Sequence, residues 1–73
     1  MAQLPFDNQV KTLRFLNGEM TQADLGDQVG VTRQTIAAIE QGKYSPSLEV
    51  AFKIARLFNQ PLEAVFVWRE EGA

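Results

Sequence analysis

Glycine and proline residues divide this chain into short segments, and that division limits the folds it can adopt. Within the segments, apolar residues recur every three or four positions, as they do along one face of an α-helix. No segment alternates between polar and apolar residues for long enough to indicate an extended sheet. The breaks fall at Gly18, Gly30, Gly42, Pro46 and Pro61. The pattern predicts an all-α fold, a compact bundle of five short helices.

Helix-starting residues follow most of these breaks. Thr21 can cap a second helix, with Asp24 in its first turn, and Ser47 can cap a fourth. A third helix begins at Thr32, and Pro61 suits the start of a short fifth helix from Leu62 to about Val65. We expect an irregular N-terminal arm over residues 1–8, a helical domain over 9–66 and a tail over 67–73. The β-branched and aromatic segment 65–68 is equally compatible with a short extended tail.

The composition removes the usual means of stabilising so small a core. The chain has 73 residues, no Cys and no His. It therefore has no disulfide, no Cys-based zinc site and no imidazole ligand or base. A domain of this size buries only roughly 60% of the surface of its unfolded chain, so stability must come from helix packing, self-association or both.

The segment Gln22–Gln41 has the pattern of two helices that meet at a tight turn. Leu25 and Val29 can attach the first helix to the core, and Ile36 and Ile39 the second. Gly30 suits a turn that needs positive φ. These features predict a helix-turn-helix motif over residues 21–41. Gly26 is unexpected inside a helix, and we interpret it as the point where the two helices cross too closely for a larger residue.

This segment resembles the helix-turn-helix of the Xre/Cro-like family, which includes phage repressors and many small bacterial regulators. The similarity runs from about Val10 to Phe66. Further motifs in the same order are Met20-Thr21-Gln22, Arg33-Gln34-Thr35-Ile36, Glu40-Gln41-Gly42-Lys43 and Pro46-Ser47-Leu48. The resemblance implies a lambda-repressor-like DNA-binding domain. One departure is the connection Phe15–Glu19, which is one residue longer than the common form.

The exposed residues of the third helix suit base recognition. Arg can bind guanine O6 and N7 through two hydrogen bonds, and Gln can bind adenine N6 and N7. The resemblance implies that Arg33, Gln34 and Ala38 face bases. We therefore expect base readout by Thr32, Arg33, Gln34, Ala37 and Ala38.

A second group is expected to contact phosphates: Gln22, Thr35, Gln41, Lys43 and Tyr44. For Gln22, Gln41 and Lys43 this role is implied by the resemblance. The Tyr44 hydroxyl can reach a phosphate, but its ring can equally pack on Pro46. Arg14 and Glu40 resemble the partly buried pair of some phage repressors, and an exposed pair of little energetic value is the alternative.

The charge and composition limit which other partners and activities we expect. The net charge of −2 and pI near 4.9 argue against a general polyanion binder, although not against a reader with a few local cations. No signal or bilayer-spanning segment is present, so we expect a cytoplasmic protein. We expect no enzyme activity, cofactor, metal or small-molecule ligand, because no nucleophile–base pair or phosphate-binding loop occurs.

Apolar residues near the C-terminus predict a homodimer. The fourth helix has two apolar stripes: Leu48, Ala51, Phe52, Ala55 and Phe58, assigned to the core, and Val50, Ile54 and Leu57, left over. The expected interface comprises Leu62, Val65, Phe66, Val67 and Trp68. Two alternatives stay open. Trp68 can fold back on its own fourth helix, and the domain can be a protein-interaction module, such as an antitoxin or coactivator-like adaptor, instead of a regulator that binds a palindromic operator.

Overall fold

The computed structural model describes residues 4–70, so residues 1–3 of the predicted arm and 71–73 of the predicted tail lie outside it. Five helices and two short strands follow in the order β1 Phe6–Asn8, α1 Val10–Leu16, α2 Gln22–Val29, α3 Arg33–Glu40, α4 Leu48–Leu57, α5 Leu62–Val65 and β2 Phe66–Trp68. The predicted helices are all present. None of the described helices is long and apolar enough to cross a membrane.

Side-chain caps define where the three longer helices begin. The Thr21 hydroxyl accepts a hydrogen bond from the Asp24 amide at 3.0 Å, and the Asp24 carboxylate accepts one from the Thr21 amide at 3.3 Å. This reciprocal pair is a capping box. Thr32 caps α3 and Ser47 caps α4 in the same way, by accepting from the amide three residues later. The helix starts predicted at Thr21, Thr32 and Ser47 are therefore confirmed.

The core is a single apolar cluster to which every helix contributes. Its fully buried side chains include Val10 from α1, Leu25 from α2, Ile36 from α3, Ile54 from α4 and Val65 from α5. Burial of each such side chain contributes roughly 1.5–3 kcal/mol. The core therefore depends on contributions from all five helices.

The predicted face of α4 is wrong. Ala51 and Ala55 are buried as expected, but Ile54, assigned to the leftover stripe, is fully buried. Leu48 and Phe52, assigned to the core, are exposed. Because α4 has apolar residues on most of its circumference, periodicity alone does not identify the face that packs inward.

A two-stranded antiparallel sheet corrects the all-α prediction. Phe6 pairs with Trp68, Asp7 with Val67 and Asn8 with Phe66. The rings of Phe6 and Phe66 pack edge to face, with centroids 6.1 Å apart. Residues 6–8 of the predicted irregular arm thus form a strand. It pairs with the start of the tail, so both belong to the folded unit.

The longer connection between α1 and α2 contains two consecutive left-handed residues, Gly18 with φ 74° and Glu19 with φ 56°. The Met20 amide then donates to the Arg14 carbonyl at 3.0 Å, which closes the connection against the end of α1. α1 is packed in the core through Val10, whose side chain is fully buried.

Candidate nucleic-acid interface

The turn between α2 and α3 depends on two glycines for different reasons. Gly30 has φ 84° and ends α2 in the left-handed conformation, as predicted. A Cβ at Gly26 would lie 2.6 Å from the Val31 carbonyl oxygen and 3.2 Å from the Thr32 carbonyl carbon. The requirement for a small residue at Gly26 is therefore confirmed. The close neighbour, however, is the backbone leading into α3 rather than a side chain at a helix crossing.

The first turn of α3 presents polar side chains at the surface. Arg33 and Gln34 are exposed, whereas Ile36 and Ile39 on the opposite side are buried in the core. Ala37 and Ala38 lie one turn further along and are half-buried. A helix anchored by its apolar side in this manner leaves its polar side free to enter a groove.

The two threonines of this turn are already hydrogen-bonded to each other. The Thr32 hydroxyl accepts from the Thr35 amide, and the two hydroxyl oxygens lie 3.1 Å apart. The Thr32 oxygen therefore serves first as the helix cap. Each hydroxyl retains further hydrogen-bonding capacity for a base or phosphate.

The end of α3 positions the residues that follow it. The Lys43 amide donates to the Ala38 carbonyl at 2.9 Å, and the Gly42 amide donates to the Ile39 carbonyl at 3.0 Å. This pair of bonds, with φ 74° at Gly42, is a Schellman motif. Gln41, Lys43 and Tyr44 are exposed immediately beyond the helix. The three expected phosphate ligands on this loop therefore project from a defined helix end.

Arg14 and Glu40 form a buried pair, which decides between the two alternatives left open by the sequence. Arg14 Nε lies 2.6 Å from Glu40 Oε2, and the side chains are 8% and 6% exposed. Gln22, an expected phosphate ligand, donates from Nε2 to Glu40 Oε1 at 3.0 Å. The sequence patterns did not indicate this last contact, because the two residues lie 18 positions apart on different helices.

Two exposed cations lie at the two ends of α3. Within residues 4–70, Arg14, Lys53 and Arg69 are paired with carboxylates, whereas Lys11 on α1 and Arg56 on α4 form no ion pair. Arg33 and Lys43 form no ion pair either. Both are exposed. An acidic chain can thus still present positive charge locally at the surface that approaches phosphates.

Three of the five expected dimer residues, Leu62, Phe66 and Trp68, line an apolar groove between the sheet, α5 and the loop before α4. Its lining includes Phe6, Leu48, Leu62, Phe66 and Trp68, and no residue of α3. Leu48 is 68% and Trp68 61% exposed. Trp68 pairs with Phe6 of β1. Its side chain lines the groove together with Leu48 and Ala51 of α4 but stays mainly exposed.

Val65 must be removed from the expected dimer interface. Its side chain is fully buried in its own core, so it offers no surface to a second chain. Phe66 and Leu62 are half-buried, and Val67 is exposed on the sheet.

The fold and this surface define a helix-turn-helix domain of the DNA-binding type. A model of the helix-turn-helix family matches residues 13–65, well over half of the chain. The chain belongs to the Xre/Cro-like helix-turn-helix family of transcriptional regulators, as the sequence motifs predicted.

Several relatives support the same membership. An uncharacterized HTH-type transcriptional regulator of Methanocaldococcus jannaschii is 48% identical over 64 residues, covering 88% of this chain and 96% of the relative. The uncharacterized HTH-type transcriptional regulator YgzD of Bacillus subtilis is 55% identical over 64 residues, covering 88% and 94%. The cryptic phage CTXphi transcriptional repressor RstR of Vibrio cholerae is 30% identical over 57 residues, covering 78% of this chain and 50% of RstR.

A solved structure shares the fold. The crystal structure of a candidate DNA-binding protein from Bacteroides fragilis superposes with a TM-score of 0.71 at 26% identity, covering 84% of this chain and 97% of that one. The family and the relatives are DNA-binding transcriptional regulators. Among residues 4–70, no cluster of three or more potential metal ligands is present.

Proposed function

We propose that this protein is a transcriptional repressor that binds a palindromic operator as a homodimer, with α3 in the major groove. The observation that carries the proposal is the arrangement of α3. Its apolar side is fixed in the core by Ile36 and Ile39, and Arg33 and Gln34 extend from the opposite side. The repressor activity of the relative RstR is consistent with this proposal.

Base readout is assigned to Arg33 and Gln34, whose side chains can each form two hydrogen bonds to a purine. Ala37 and Ala38 allow the helix to approach the base edges and can contact a thymine methyl. Thr32 contributes through the hydroxyl capacity that its cap leaves free. Phosphate contacts are assigned to Gln22 at the start of the motif, to Thr35 in the first turn of α3, and to three residues at or just after the end of α3, Gln41, Lys43 and Tyr44.

Dimerisation is assigned to the apolar groove, with its lining residues Leu62, Phe66 and Trp68 as contacts. Val67, exposed on the same strand but outside the groove lining, is kept as a further contact residue. None of its lining residues belongs to α3, so a second copy bound there leaves both readout helices free. Two such helices related by a two-fold axis can read half-sites about 34 Å apart. A monomer that read one half-site would bind more weakly.

The salt dependence of binding to mixed genomic DNA tests the DNA-binding part of the proposal. Binding that depends on released counterions weakens steeply as salt rises, with a logarithmic slope of about −0.9 for each neutralised phosphate. The competing function, a protein-interaction module, is favoured by the exposed apolar side chains of Leu48, Phe52 and Trp68. That function predicts no DNA binding at any salt concentration.

A further inference from the structure

Glu40 lies at the centre of a polar cluster that joins three helices. Its Oε2 accepts from Arg14 Nε at 2.6 Å, and its Oε1 accepts from both Arg14 Nη2 and Gln22 Nε2 at 3.0 Å. Arg14 Nη1 donates to the Met20 carbonyl at 2.8 Å, just before the cap of α2. The cluster therefore links α1, the start of α2 and the end of α3.

We infer that Glu40 is a positioning residue for DNA binding, because it sets the orientation of the Gln22 side-chain amide. The inference rests on the proposed function, in which Gln22 contacts a phosphate. A carboxylate only accepts hydrogen bonds, whereas a carboxamide has a donor end and an acceptor end. Glu40 therefore selects the amide orientation in which the Gln22 NH₂ group points toward the Glu40 carboxylate. One N–H binds Glu40, and the second N–H of the same nitrogen remains for a phosphate oxygen.

Without Glu40, the amide of Gln22 would be free to rotate. Its carbonyl oxygen would then face the phosphate in part of the population, and two acceptors repel each other. Holding the amide in the binding orientation before DNA arrives removes the ordering cost from the binding step. Arg14 holds Glu40 in turn through two hydrogen bonds, and its burial keeps it away from DNA.

A positioning role predicts that neutralising Glu40 weakens DNA binding, which is the opposite of what its charge alone predicts. Glu40 is negative, so its neutralisation should strengthen binding to a polyanion if only electrostatics mattered. If Glu40 acts by positioning Gln22, its neutralisation weakens binding. A purely structural role would weaken binding as well, but it would do so whether or not Gln22 is present.

A double-mutant cycle separates these possibilities. We expect Glu40→Gln and Gln22→Ala each to raise Kd for DNA about three- to tenfold, the size of one typical hydrogen bond. In the Gln22→Ala background, Glu40→Gln should cause no further weakening. Gln28→Ala, on an exposed position of the same helix, is the matched control and should leave Kd unchanged.

If Glu40→Gln does not fold, a charge-neutral double variant tests the same inference. Replacing both Arg14 and Glu40 with Met removes the partner of Gln22 without leaving a buried charge, and such replacements commonly preserve folding. It should give the same loss of affinity, again only when Gln22 is present. Nuclear magnetic resonance of the free protein supplies a second readout. The Gln22 Nε2 order parameter should be clearly higher in the wild type than in either Glu40 variant.

The inference is overturned if the loss of affinity persists in the Gln22→Ala background, or if Glu40→Gln tightens binding. It is also overturned, with the proposed function left standing, if wild type binds DNA and Gln22→Ala binds equally well. If the wild type binds no DNA at low salt, the proposed function fails together with this inference.

Discussion

Arg14 and Glu40, 26 positions apart in the sequence, are joined by two hydrogen bonds of 2.6 and 3.0 Å in the interior of the domain. Burying two charges is expensive, and their attraction compensates only when the geometry is good and the remaining donors are satisfied. Both conditions hold here, since Arg14 Nη1 is bound by the Met20 carbonyl. The pair thereby fixes α1 against the end of α3.

Removing one partner of this pair should be far more damaging than removing both. We expect Arg14→Met to lower the free energy of unfolding by about 3–5 kcal/mol, because Glu40 is left buried without its counter-charge. The Arg14→Met, Glu40→Met double variant should lie within about 2 kcal/mol of wild type. Urea unfolding of the three proteins measures both values. Equal losses for the single and double variants would contradict the prediction.

Gly26→Ala should destabilise the domain, although alanine favours helices. Its Cβ would lie 2.6 Å from the Val31 carbonyl oxygen, so the turn must move, at a cost of roughly 1–3 kcal/mol. Helix propensity favours alanine over glycine by only about 1 kcal/mol, so we expect the cost of moving the turn to exceed it. Gly26→Leu should cost more. Thermal melts measure these losses, and an unchanged melt for Gly26→Ala would refute the close approach.

Gly30 offers the matched comparison, because a Cβ there meets no atom within 4 Å and the only constraint is φ 84°. Gly30→Val should cost roughly 1–2 kcal/mol through left-handed strain, and Gly30→Asn distinctly less, since Asn tolerates that region. Equal melting temperatures for Gly30→Val and Gly30→Asn would show that backbone conformation is not the constraint.

Replacing a base-contacting side chain with alanine should affect DNA binding differently from replacing a phosphate-contacting one. Arg33→Ala and Gln34→Ala should each cost about 1–3 kcal/mol on the preferred site and relax specificity at one position per half-site. Lys43→Ala should weaken binding to all sequences and make the salt slope shallower by about one unit. Arg56→Ala, an exposed cation on α4, is the control. Titrations at several salt concentrations measure these effects, and a salt slope unchanged by Lys43→Ala would exclude its phosphate contact.

Exposed side chains of the apolar groove should determine the oligomeric state. The Leu48→Ser, Trp68→Ser double variant should be monomeric at micromolar concentration with little change in its melt, because both residues are mainly exposed in the single chain. Leu16→Ser removes an even more exposed leucine, on α1 and outside the groove, and should stay dimeric. Sedimentation velocity gives the masses. A monomeric wild type, or a double variant that remains dimeric, would contradict the proposed interface.

Most of the helical framework could be predicted from the sequence because its signals are local. Thr21 and Asp24 form a capping box three residues apart, and Gly30 and Gly42 end helices in the left-handed conformation. Such caps depend only on neighbouring backbone groups. The same holds for the helix-turn-helix segment, whose apolar spacing and glycines lie within 20 residues.

The features that were missed depend on contacts between distant parts of the chain. β1 contains only three residues, two of them polar, and its partner β2 begins at Phe66, so no alternation indicates a strand. The packing face of α4 is set by what surrounds it, and the bond from Gln22 to Glu40 depends on how α2 and α3 cross. Val65 was placed in an interface for the same reason, since an apolar residue near a chain end does not reveal whether its own core covers it.

Selection of bound sequences from a random DNA pool tests directly whether a dimer of this protein reads an operator through α3. Such a dimer should enrich an inverted repeat whose half-site centres are about 10 base pairs, or a multiple of one helical turn, apart. The Arg33→Ala variant should lose preference at the same position of both half-sites. Operator reading through α3 would be contradicted if the wild-type protein enriched no sequence, or if Arg33→Ala enriched the same sequence as the wild type.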